Sequence, residues 1–174
     1  MHVLPEGGLD HGIWTPLIRM WPQAGIPVLP LSLVPNWSPA RLQALGAALA
    51  PLADEGVLVI GSGSMTHNLR RYFSRGHLPS VAPTEPDVTA FTGWVAERAA
   101  ARDWAALQDY RSAAPHAALQ HPTDEHWLPF YVAAGAGGEA ATPARLHDSV
   151  DGGMLAMDAY AFGPQAQRLA AALA

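Results

Sequence analysis

The sequence predicts an α/β domain, a sheet flanked by helices, and three observations carry that prediction. Of the 174 residues 49% are hydrophobic and 14% charged, a balance suited to burying one core. An apolar run, an amphipathic helix and a continuous β-branched run follow one another in the order of a βαβ-like unit. The second run empties into Gly61-Ser62-Gly63-Ser64, and open α/β sheets place their ligands beyond the carboxyl ends of the strands.

The elements follow from local pattern. Apolar positions 13, 14, 17, 18, 20 and 21 predict a short helix from Ile13 to Trp21, with Pro16 in its first turn and Pro22 and Gly25 closing it. Ile26 to Leu33 reads as a strand in which Pro27 and Pro30 delete ladder donors. Ser38-Pro39 supplies an N-cap and a first-turn proline for a helix to about Asp54. Val57-Leu58-Val59-Ile60 has the composition of a strand buried on both faces. Residues 74 to 87 read as loop, Asp87 to Ala101 and Asp103 to Ala114 as helices where Trp94 and Trp104 pack, and Trp127 to Ala134 as a buried helix. Residues 137 to 143 read as loop, Met154 to Phe162 as a strand and 164 to 174 as a helical tail. The domain is expected over residues 1–163, with 164–174 appended.

Charge and composition narrow the function. Fifteen acidic residues against ten basic ones give a net charge of -5, which argues against nucleic acid and anionic membranes as partners. Every basic residue is arginine, so Schiff-base and Walker-type lysine chemistry is excluded. With no cysteine, any metal must be held by histidine and carboxylate. No apolar run approaches a membrane span and the first residues lack signal-peptide regions, so the expectation is a cytoplasmic protein. The abrupt entry into Leu9 to Trp14 reads as the middle of a domain.

The eight histidines become the candidates. His67, in GSGSMTHNL, is placed either to meet a ligand as a general acid/base or to cap the following helix. His11, between Asp10 and Gly12, is either structural or oriented by the neighbouring carboxylate toward a substrate. His121 and His126 flank Asp124 and Glu125 in HPTDEHWLP, a combination that suits iron or zinc yet lacks HExxH. His2, His77, His116 and His147 read as solvated. The glycine loop departs from GxGxxG at Thr66, which argues against a dinucleotide, and lacks the GxSxG elbow of a serine hydrolase.

Taken in order, GLDHGIW, GSGSMTHNLR, HPTDEHWLP and GGMLAMDAYAFG resemble the type III extradiol ring-opening dioxygenases of the LigB superfamily, in the DOPA 4,5-dioxygenase-like branch. The resemblance spans residues 7 to 163. It implies an α/β fold carrying Fe(II) or Zn(II), with a catecholic substrate and O2. His126 matches the family's C-terminal metal ligand, His67 its acid/base, and His11 a histidine that bonds substrate or oxygen. His121 shares a motif with His126 but inherits no ligand role.

The family also carries two further metal ligands, in His-Gly-Ser-Pro and Ser-Ala-His-Trp-like motifs, and neither occurs here. The resemblance therefore covers the family's C-terminal part. Three arrangements follow: a shifted or truncated start, a split enzyme with a complementary N-terminal chain, or a metal-free relic serving as a binding domain. The intact motifs favour the first. Lost strands would leave an unpaired apolar edge that invites a partner chain or a homo-oligomer.

Overall fold

Helix α4, Pro86–Ala101, shows how the core is assembled. Val88, Phe91, Thr92, Val95 and Ala99 are its buried residues, the i, i+3, i+4 and i+7 stripe of an amphipathic helix. Against that stripe stands Trp127, its ring centroid 5.7 Å from that of Phe91 and T-shaped to it, and Tyr110 and Tyr131 pack on Trp127 in turn. Trp127 Nε1 donates to the Tyr131 hydroxyl at 2.9 Å, and that hydroxyl donates to the Leu107 carbonyl. Each of these buried aromatics contributes roughly 1.5–3 kcal/mol by leaving water.

The computed structural model describes residues 7–76 and 79–173, and the histidines read as solvated at 2 and 77 lie outside them. The chain divides into a unit through Pro35 and a unit from Asn36 onward. In the first, α1 spans His11–Met20, with Asp10 as its N-cap accepting from the Ile13 amide at 3.1 Å. Pro16 falls inside α1, and the helix carries on through it to Met20. The stretch after Trp21 includes exposed Ile26, Val28, Leu29 and Leu31 but forms no strand among the described residues. The two prolines that make it strand-like only at an edge also leave it few donors to pair with.

In the second unit α2 covers Pro39–Leu49, capped by Ser38, and a 3₁₀ turn runs over Ala50–Glu55. It packs on α8, Pro129–Gly137. The two backbones meet so closely that a Cβ at Gly46 would strike the Val132 carbonyl, and one at Gly135 the Gln43 carbonyl. In chain order between α2 and α8 come α3 Leu69–Ser74, α4, α5 Trp104–Gln108, α6 Tyr110–Ala113 and α7 Ala117–Gln120. Trp94 and Trp104 are half-buried.

The strands are short. β1 Ala144–His147 pairs antiparallel with β4 Ala159–Ala161, and β2 Val150–Asp151 with β3 Leu155–Ala156. Helix α9, Ala166–Leu173, follows. The Val57–Ile60 run forms no strand among the described residues, and Val57, Leu58 and Ile60 are exposed. A β-branched run fixes an extended backbone; the neighbours that would bury both its faces are a separate requirement.

Candidate active site

Two segments, 61–70 and 120–126, bring histidines together. They lie so close that a Cβ on Gly63 would collide with the His126 carbonyl. The Ser64 amide donates to that carbonyl at 2.8 Å, and the His67 amide donates to the Gln120 carbonyl at 2.9 Å. Between them Thr66, wholly buried, donates through Oγ1 to the Met154 carbonyl and accepts from the Ala156 amide, each at 2.8 Å. The glycine-rich motif is thus fastened both to the HPTDEH segment and to the β2–β3 hairpin.

Asn68, not His67, caps α3: its Oδ1 accepts from the Arg71 amide at 3.0 Å and its Nδ2 donates to the Leu119 carbonyl at 2.7 Å. This settles the capping alternative for His67. One turn later Arg71 forks onto Asp87 at 2.5 and 3.0 Å, and Asp87 also accepts from Gln120 Nε2 at 2.6 Å. The Arg71 hydrogen bond holds the Asp87 carboxyl below the usual carboxylate range. Gln120 therefore links this ion pair to the backbone of His67.

The imidazoles of His67 and His126 are stacked, with centroids 3.4 Å apart and planes 16° from parallel. His126 Nδ1 lies 3.4 Å from Glu125 Oε1 and has no hydrogen-bond partner among the described residues. Burial lowers the pKa of His67, the neighbouring His126 lowers it further, and Glu125 opposes both. Glu125 stays ionised, held low by a backbone N–H and the Thr123 hydroxyl. A hollow of about 460 Å³ opens here, with His67, Asn68, Arg70, Thr123 and Glu125 in its wall.

The other histidines go elsewhere. His121 is wholly buried, with its Nε2 2.8 Å from the Met65 carbonyl. No group of three or more metal-ligating side chains occurs among the described residues. A metal at this chain would therefore need ligands beyond any cluster the described residues form. His11 is exposed at the start of α1, edge-on to Trp14 at 5.1 Å, while Asp10 Oδ1 is engaged by the helix amide. It belongs to the unit through Pro35. His116 and His147 are exposed.

Sequence reasoning missed Thr66, Gln120, Arg71 and Asp87. In the sequence Thr66 reads only as a departure from a glycine pattern. Gln120 carried one signal, a polar residue closing the apolar AALQ run just before HP.

Residues 1–160 match the family model described as the catalytic LigB subunit of aromatic ring-opening dioxygenase, and the chain belongs to that family. It is 41% identical over 155 residues to the 4,5-DOPA dioxygenase extradiol of Beta vulgaris, covering 89% of this chain and 56% of that one. The protein of the same name from Escherichia coli strain K12 is 33% identical over 131 residues, covering 74% and 47%. Among solved structures, an uncharacterized protein of Escherichia coli K12 superposes with a TM-score of 0.74 at 30% identity, covering 89% of this chain and 63% of that one. The fold is accordingly the α/β fold of the LigB family. The chain spans about half the length of the curated relatives it matches. No helix among the described residues is long and apolar enough to cross a membrane.

Proposed function

We propose that this chain carries the acid–base part of an extradiol dioxygenase site that opens a catecholic ring with O2. The observation behind the reading is the stacked pair of His67 and His126 on two motifs of a LigB-family chain. With its pKa lowered, His67 is neutral near pH 7 and can take a proton from a catechol hydroxyl in the adjoining hollow, then return it. His126 is the metal ligand and His11 the donor to substrate or oxygen, both carried from the family resemblance.

Fe(II) is the proposed metal, with Zn(II) the other candidate. Since the described residues offer His126 for a single position, the remaining ligands come from elsewhere, and no step is derived through the ion. Residues 1–163 form the dioxygenase-like domain and 164–174 its tail, acting in the cytoplasm. The exposed, unpaired Val57–Ile60 run supports a complementary chain or a second copy as partner.

Anaerobic titration with Fe(II) or Zn(II), after loosely held ions are removed, tests the ligand assignment. The expected result is weak binding by this chain alone, and near-equimolar tight binding once a segment bearing the two further histidine motifs is supplied. No gain on supplementation would overturn it. The exposed run also favours a second reading, a metal-free binding domain of the same fold. Catechol binding unaffected by a chelator and by the added segment would select it.

A further inference from the structure

His121 has a place in the fold that neither ligation nor proton transfer explains. Its ring is wholly buried between Phe91 and Trp127, with both centroids 5.7 Å away. Nε2 lies 2.8 Å from the Met65 carbonyl, which can only accept, so Nε2 carries the proton and Nδ1 is left bare. Nδ1 has no hydrogen-bond partner among the described residues. An apolar ring would fill the same space without that bare nitrogen, so the packing alone gives no reason for a histidine.

The reason lies in what surrounds the bond to Met65. On either side of it the Ser64 amide meets the His126 carbonyl and the His67 amide meets the Gln120 carbonyl. The His121 contact is the side-chain rung between two backbone rungs, and the three together hold segment 64–67 against segment 120–126. Each segment presents one imidazole of the stacked pair. From outside, Arg111 donates to the His121 carbonyl and to Asp124 Oδ1, and Tyr110 donates to the same Asp124 oxygen at 2.7 Å. Segment 120–126 is therefore braced from behind, and His121 is the side chain that passes that brace forward to the loop bearing His67.

We infer that His121 is a positioning residue whose Nε2–H bond to the Met65 carbonyl sets the spacing at which His67 and His126 face each other. The inference rests on the reading of those two as the working pair, and its test uses no turnover and no metal.

The test is the cross-ring nuclear Overhauser effect between His67 and His126 in the full 174-residue chain. The native chain gives the cross-peak. His121→Phe keeps the aromatic packing but removes the donor, and its folded form loses the cross-peak. His121→Gln puts an amide donor near the same place and restores it. A folded His121→Phe variant with the native cross-peak overturns the inference. If that variant does not fold, nitrogen chemical shifts of the native His121 decide: the Nε2–H tautomer supports the inference and the Nδ1–H tautomer overturns it. Absence of the cross-peak from the native chain would overturn the pair itself, and this inference with it.

Discussion

The rings of His67 and His126 lie face to face, 3.4 Å between centroids and 16° from parallel, although 58 residues of chain separate them. Nothing local to either residue produces that contact. It follows from the backbone bonds Ser64–His126 and His67–Gln120, from the missing Cβ at Gly63, and from Asn68 taking the helix cap that would otherwise have occupied His67.

Acid should destabilise this chain through His121. Burial takes its pKa down to about 4, against 6.5 for the free side chain. The unfolded chain therefore binds a proton that the folded chain refuses, and stability is full above about 6.5 and lost as pH falls toward 4. The loss amounts to about 3 kcal/mol from this residue. Urea melts across that range check it, and in His121→Phe this part of the slope should vanish.

Thr66→Val keeps the side-chain shape and removes both the donor to the Met154 carbonyl and the acceptor for the Ala156 amide. Two backbone groups are left buried and unpaired, so a loss of roughly 1–3 kcal/mol is expected for each. Thermal unfolding measures it. Amide exchange should accelerate at Ala156 before it does in α4.

Gly63→Ala places a methyl group against the His126 carbonyl, which is backbone and cannot swing aside. The expected cost is about 1–3 kcal/mol of overpacking strain. The shift should appear in the ring resonances of His67 and His126 as well as in the melting temperature. Gly93→Ala, where a Cβ meets nothing within 4 Å, is the control and should stabilise α4 slightly.

The helices and the site loops were legible because their signals are local. Ser38-Pro39 starts α2, and the 86–101 helix shows its apolar stripe in the sequence. The strands were legible only in part: Met154 to Phe162 reads as one strand and holds two, β3 and β4, while their partners were not legible because pairing is a property of two segments. Val57–Ile60 has the β-branched pattern of a strand but pairs with none among the described residues, while β1, with Arg145 and His147 in it, carries too little apolar pattern to be read as a strand. The site was half legible. His67 and His126 stood out by their motifs, yet the Arg71–Asp87–Gln120 chain that anchors His67 joins residues up to 49 positions apart, each ordinary in its own surroundings. His121 was visible as part of HPTDEH, but only the packing around Phe91 and Trp127 shows that it points into the core.

The most direct measurement is oxygen uptake with a catechol by the native chain, His67→Ala and His126→Ala, each loaded with Fe(II) and supplied with the segment that bears the two further histidine motifs. Uptake by the native protein is expected. His67→Ala should lose about 10²–10⁴-fold with metal retained, the range of a missing general acid–base, and His126→Ala should lose both metal and uptake. Uptake that survives His67→Ala undiminished would overturn the acid–base role of His67.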